Sequence, residues 1–287
     1  MAGFVELRES LGHPAEAASK AVSRVAIAGL GAIGASVAKA IDAGIDGIVL
    51  SAVSAQSLDK HRDWLSRLKS PPATLPIDQL AEVADIVIEC APSRLVRSIV
   101  APVVSRGKTA IVLSAGALLE NDDLIDLARR HGGQIVVPTG ALIGLDAVTA
   151  AAVGTIHSAR MVSRKPPRGF AGAPHVVDHK IDLEAITVPQ KIFEGNARAA
   201  AKGFPANINV SVALSLAGIG PDRTMVEIWA DPTVTRNVHR IEVDSDSARF
   251  SMTIENIPSE NPKTGRITAL SVIACLRKLH APLRVGT

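Results

Sequence analysis

The chain has 287 residues, of which 47% are hydrophobic and 21% charged, with a formal net charge of +3. That length and apolar content suit two medium cores, while the small net charge and the scarcity of aromatics, two Trp and five Phe, argue against a nucleic-acid partner. No apolar run reaches the ~18 residues of a membrane span, and Glu6, Arg8, Glu9 and Glu16 precede any apolar run, so no signal peptide or membrane partner is expected and the location expected is cytoplasmic.

Residues 1–22 are polar and Ala-rich without clear periodicity and read as an N-terminal extension. A β-type run at 24–28 leads into Gly29-Leu30-Gly31-Ala32-Ile33-Gly34, and an Ala-rich helical pattern follows to about Ala43. A strand at 47–53, a helix at 56–69, a strand at 85–89, a helix at 93–105, a strand at 108–113, a helix at 122–131 and a strand at 134–137 continue the alternation. The fold class is therefore α/β, with a doubly wound parallel sheet of the Rossmann kind over residues 23–140. Pro71, Pro72 and Pro76 mark the loop after the second helix.

Beyond Pro138 the rhythm changes. A helix at 142–153 precedes strands at 154–162, 185–193, 225–230, 234–243 and 248–255, with helices only at 194–203 and 208–217 between them. This predicts a second, α+β domain over residues 141–260, built on a mixed or antiparallel sheet. The stretch 163–180, rich in Pro, Gly and His, reads as a surface loop. Pro262 opens a final helix to about His280, within a segment, 261–287, expected to pack back on the first domain.

In the glycine turn, Gly29 permits a tight turn, Gly31 lets a pyrophosphate approach the backbone, and Gly34 allows close packing of helix on strand. The phosphates then sit over Ala32 and Ile33, at the positive end of the following helix. Its place at a strand-to-helix junction makes the pattern a dinucleotide fingerprint. An NAD-selective strand would end in Asp or Glu about 20 residues further on, but Val53-Ser54-Ala55-Gln56 occupies that place. Without a carboxylate to repel a 2′-phosphate, NAD or NADP is expected, with Ser54 at the ribose and Gln56, Ser57, Lys60 and Arg62 nearby. The chain has no Tyr, which excludes the tyrosine acid of short-chain dehydrogenases and leaves His, Lys or a carboxylate for proton transfer.

No metal is expected. Cys90 and Cys275 fit no ligand spacing and read as buried reduced thiols. His175 and His179 stand four apart, with His157 upstream, but Pro174 and the composition around it predict loop rather than helix, and no Glu lies between the pair.

Further motifs follow in order: Glu89-Cys90-Ala91-Pro92, Leu113-Ser114-Ala115-Gly116-Ala117-Leu118, Pro138-Thr139-Gly140-Ala141, Ser163-Arg164-Lys165-Pro166-Pro167, the stretch 193–224 with Phe204-Pro205-Ala206-Asn207-Ile208-Asn209, Asn237-Val238-His239, and Glu260-Asn261-Pro262-Lys263-Thr264. With them the chain resembles the L-aspartate dehydrogenase family over residues 24–277. The resemblance implies NAD(P)-dependent oxidation of L-aspartate to iminoaspartate, which hydrolyses to oxaloacetate and ammonia or feeds NAD biosynthesis. It implies His239 as the catalytic residue, and Ala141 and Asn209 as contacts near the nicotinamide, with Asn207 the better helix cap of the two asparagines.

Aspartate brings two carboxylates and an ammonium, and it reacts only when its Cα is held at the hydride acceptor. Arg164, Lys165 and Lys263 are the candidate cations, Arg236 a weaker one, and Asn237, two residues before His239, is the further substrate-binding candidate. A neutral His239 then acts as base toward the amine. Two other readings use the same residues: a dehydrogenase of another amino or imino acid or of a semialdehyde, and a nicotinamide sensor without turnover, against which the intact Asn237-Val238-His239 counts. The apolar strands of the second domain suit a sheet-to-sheet homodimer.

Overall fold

The computed structural model describes residues 22–257 and 265–286. Its first half contains β1 (Ser23–Ala28), α1 (Ala32–Gly44), β2 (Ile48–Ser54), α2 (Asp59–Leu65), β3 (Ala73–Thr74), α3 (Leu80–Val83), β4 (Ile86–Glu89), α4 (Val96–Val104), β5 (Thr109–Val112), α5 (Asp123–His131) and β6 (Gln134–Val136). Among the described residues the six strands pair in parallel in the order β3-β2-β1-β4-β5-β6, the doubly wound arrangement whose order reverses between β1 and β4. Val25, Ala26, Ile27 and Ala28 are wholly buried, as a strand covered by helices on both faces must be. Their side chains alternate: Ala26 and Ala28 pack with Leu80, Val96 and Val100 of α3 and α4. Val25 and Ile27 pack with Val37 and Ile41 of α1 on the other face.

The second half contains α6 (Leu145–Ala151), β7 (Ile156–Lys165), α7 (Pro174–Asp178), β8 (Gln190–Asn196), α8 (Ala197–Gly203), α9 (Asn209–Ala217), β9 (Thr224–Ala230), β10 (Asn237–Ser245), β11 (Arg249–Asn256) and α10 (Ile267–His280). Its sheet runs β11-β10-β7-β9-β8; β7 and β9 are parallel and the other pairs antiparallel, so the sheet is mixed. Ala159, Met161, Ile241, Val243, Val226 and Ile228 point inward to a core shared with Val148 of α6, Ala200 of α8 and Val212 of α9. The alternate residues Arg160, Arg164 and Glu242 face away, following the strand period of two. Val272, Ile273 and Leu276 of α10 join the core formed by β1 and α1.

Several boundaries depart from the sequence reading for local reasons. β7 runs on through Lys165, so the expected loop from Ser163 opens as strand. Within it, Pro174 starts α7 rather than preventing a helix, because a first-turn proline has no N–H to lose. The rings of His175 and His179 stack there at 3.9 Å, with His175 Nε2 3.0 Å from the carbonyl of Ile192. β8 begins only at Gln190, after Pro189, which cannot donate to the ladder. β10 begins at Asn237, after a turn in which Asp231 accepts hydrogen bonds from the N–H and the hydroxyl of Thr233 at 2.9 and 2.6 Å. The final helix is described from Ile267; its expected start at Pro262 lies outside the described residues.

Candidate active site

A cleft of about 910 Å³ opens between the carboxyl edge of the parallel sheet and the inner face of the mixed one. Ile33 is the fingerprint residue that lines this cleft, and around it the three glycines do separable work. Gly29 has φ of +104°, and a Cβ there would stand 2.5 Å from the carbonyl oxygen of Cys90. A Cβ on Gly34 would lie 1.9 Å from the carbonyl oxygen of Gly29, whereas one on Gly31 would meet nothing within 4 Å. Gly29 and Gly34 thus serve the protein's own packing, and Gly31 keeps space clear beside the N-terminus of α1, which no side chain caps. That space and those free N–H groups fit a pyrophosphate. Ser54 ends β2, is 6% exposed, and its carbonyl accepts the N–H of Gly29 at 2.8 Å. Arg62 pairs with Asp59 at 2.7 Å.

Glu89, at the end of β4, is a buried carboxylate whose part in the site the sequence reading missed. It accepts hydrogen bonds from the N–H of Ala91 at 3.1 Å, Leu113 at 3.1 Å and Ser114 at 2.8 Å, and from the Ser114 hydroxyl at 3.0 Å. Burial raises its pKa while these donors oppose the rise. It fastens together the loops after β4 and β5, both of which line the cleft. An acid closing an otherwise apolar parallel strand is the sequence signal, since Glu is rarely buried without partners. Neighbouring Cys90 and also Cys275 are free thiols, only partly buried rather than enclosed; desolvation raises both pKa values.

On the opposite wall, Ser163 of β7 and His239 of β10 face each other in the ladder, with Ser163 Oγ 3.1 Å from His239 Nδ1. Two residues away on each strand, Lys165 and Asn237 point to the same side by the period of two. His239, Lys165 and Asn237 all line the cleft and are 2%, 5% and 7% exposed. Desolvation, with the charge of Lys165 second, holds His239 down at about 3, so its imidazole is neutral at pH 7. Desolvation alone lowers Lys165 to about 8. Its Nζ donates to Asn207 Oδ1 at 2.9 Å, while Asn209, the first residue of α9, accepts the N–H of Gly116 at 3.0 Å and joins the two halves. Ala141, in the turn after β6, lines the same cleft.

Not every candidate cation reaches the cleft. Arg164 lies on the far face of β7, its guanidinium 4.5 Å from the Trp229 ring and 3.3 Å from Asp231; the sequence placed it beside the substrate because residues 163–165 looked like loop, in which adjacent side chains need not diverge. Arg236 pairs with Glu255 at 3.7 Å, away from the cleft lining. Lys263 lies outside the described residues. Arg94, outside every motif, and Lys202, inside the 193–224 stretch but not among the candidate cations, also line the cleft.

Residues 29–138 match the family described as homoserine dehydrogenase, NAD binding domain, and residues 146–279 match aspartate dehydrogenase, C-terminal. An L-aspartate dehydrogenase of Bradyrhizobium diazoefficiens is 67% identical over 92% of this chain and 94% of its own length. The chain belongs to the L-aspartate dehydrogenase family. L-aspartate dehydrogenase 3 of Bordetella bronchiseptica is 58% identical over 92% of this chain and 97% of its own. The crystal structure of aspartate dehydrogenase from Thermotoga maritima, 23% identical, superposes with a TM-score of 0.70 over 92% of this chain and 99% of that one, which shows a common fold. As a member of this L-aspartate dehydrogenase family the chain is an oxidoreductase with an NAD(P)-binding domain.

Proposed function

We propose that this protein oxidises L-aspartate to iminoaspartate with NAD or NADP, and that His239 is the group that takes the proton. The observation that carries the reading is the cluster of Lys165, Asn237 and His239 on one wall of a cleft whose other wall is made by the loops after β4, β5 and β6, with Ile33 of the dinucleotide fingerprint beside them. The bound nicotinamide supplies the acceptor for the hydride that leaves Cα. Lys165 Nζ binds one carboxylate, and Arg94 and Lys202 are the cleft cations available to the other. A base at Nε2 requires that Nδ1–H donate to Ser163 Oγ, a contact that holds the ring in place. The arriving carboxylate offsets the charge of Lys165, one of the two causes that depress the imidazole, so substrate binding raises the basicity of His239 when it is needed. His239 then takes a proton from the substrate ammonium, so that loss of the hydride from Cα leaves an iminium; after releasing that proton to solvent it deprotonates the water that attacks the iminium, which breaks down to oxaloacetate and ammonia.

Asn209 and Ala141 are assigned to the nicotinamide end of the cofactor, Ala32 and Ile33 to its phosphates and Ser54 to its ribose. Residues 23–140 form the dinucleotide-binding domain in this reading and 141–260 the catalytic one. A homodimer through the outer face of the mixed sheet, where Met225 is 42% exposed, a cytoplasmic location and a supply of iminoaspartate to NAD biosynthesis complete the proposal. Among the described residues no helix is long and apolar enough to cross a membrane. The test is a panel of amino acids assayed for initial rates with NAD and NADP. Aspartate is expected to give the highest kcat/KM, and faster turnover of a monocarboxylic amino acid would defeat the substrate assignment while leaving the fold intact.

A further inference from the structure

Asn256, the last residue of β11, sits opposite Asn237 in the β10–β11 ladder and is 3% exposed. Its Nδ2 donates to the carbonyl of Ala141 at 2.8 Å. Its Oδ1 is the one buried side-chain polar atom without a hydrogen-bond partner among the described residues. Such an atom is costly unless something donates to it, and Asn256 lines the cleft. Lys165, Asn237 and Asn256 therefore form a row across β7, β10 and β11, one end engaged with Asn207 and the other held to the turn after β6.

The topology says which ligand group meets that oxygen. A dinucleotide whose phosphates lie over Gly31, at the end of β1, extends its adenosine toward Ser54 at the end of β2. Its nicotinamide therefore extends the other way, over β4, β5 and β6. Ala141 belongs to the turn at that far side, and the turn is also fixed by the N–H of Gly140, which donates to Ser271 Oγ at 3.1 Å. The reacting Cα of the substrate belongs instead beside His239, two residues along β10 from the Asn237 row, or roughly 6.6 Å at the rise of a strand. We propose that Asn256 reads the cofactor: its Oδ1 accepts an N–H from the carboxamide of the nicotinamide, while its Nδ2 anchors the Ala141 turn beneath the ring. The orientation of the ring in the cleft then depends on a residue of the second half. This rests on the nicotinamide-dependent reading above, but not on aspartate being the substrate.

The test is equilibrium titration of NAD and NADP, each beside its 3-acetylpyridine analogue, in which a methyl group replaces the carboxamide NH₂. The wild-type protein should bind each analogue about tenfold more weakly than its parent, the effect of one lost hydrogen bond at a buried acceptor. In Asn256→Ala the parent and analogue should bind within about twofold of each other, the lost Ala141 contact weakening both alike. The wild-type comparison needs no variant to fold, and equal affinity for parent and analogue there would overturn the proposal. Retention of the tenfold difference in Asn256→Ala would also overturn it. So would a defect confined to the KM of aspartate, which would assign the residue to the substrate amine. Failure to bind any dinucleotide would instead strike at the proposed function itself.

Discussion

Replacing Lys165 by Met should make the protein more stable and less active at once. The ammonium is buried, and desolvation holds its pKa at about 8 against 10.5 for the free side chain. The difference, 10.5 − 8, corresponds to about 3 kcal/mol by which the fold disfavours the charged form at pH 7, at ~1.36 kcal/mol per pKa unit. Loss of the hydrogen bond to Asn207 offsets about 1 kcal/mol of this, since Asn207 is only half-buried and water can replace the donor. Met fills the same space without charge, so a net gain of about 2 kcal/mol is expected at pH 7.

The pH dependence has a definite sign. Because the folded pKa lies below the unfolded one, the unfolded chain binds more protons between the two values. The penalty is therefore complete below about 8 and fades as the pH rises toward 10.5. Urea midpoints of the two proteins should differ most near neutrality and converge at alkaline pH. Meanwhile the KM for aspartate should rise about 100-fold, because a buried charge-assisted contact of roughly 2–3 kcal/mol is lost. A Met variant less stable than wild type at pH 7, by a margin independent of pH, would show that the ammonium has a compensating partner and that the reasoning is wrong.

Other expectations separate the cofactor site into its parts. Gly31→Ala should cost no more stability than the roughly 1 kcal/mol of an alanine at the α1 N-cap, since its Cβ meets no protein atom within 4 Å, yet weaken dinucleotide binding about tenfold or more by crowding the pyrophosphate. Gly34→Ala, with its Cβ 1.9 Å from the Gly29 carbonyl, should lower the melting temperature as well; a variant with unchanged stability would contradict the packing described. Ser54→Asp should raise the Kd of NADP at least about tenfold more than that of NAD, by repulsion of the 2′-phosphate. Equal effects in paired titrations would place ribose recognition elsewhere.

The parallel sheet is legible in the sequence because strands buried on both faces appear as unbroken apolar runs, and the glycine turn sits where one of them ends. Ser163-Arg164-Lys165 is different: followed by two prolines, it looks like loop, and only the extension of β7 to Lys165 turns Ser163 and Lys165 toward His239 and Arg164 away. Pro174 carries an ambiguous signal of the same kind, since it ends a helix from within but starts one from the first turn. Asn256 was hidden for another reason, and Glu89 showed itself only as an acid closing an apolar strand, without its partners. Their roles depend on partners as distant in sequence as Ser114, 25 residues away, and Ala141, 115 residues away, and no local pattern encodes such contacts. His239 stood out only through the motif that surrounds it, because an isolated histidine on a strand is consistent with ordinary packing.

On the proposed mechanism a neutral, buried His239 moves the proton in the oxidation of aspartate. The direct measurement compares wild type with His239→Ala in one experiment, following reduced nicotinamide under saturating aspartate and titrating the dinucleotide separately. A kcat lower by roughly 10²–10⁴ is expected, the usual contribution of a positioned acid–base group, with the dinucleotide Kd changed by less than about twofold. A folded His239→Ala protein that turns aspartate over at a near-normal kcat would contradict it and shift the proton-transfer role to Lys165.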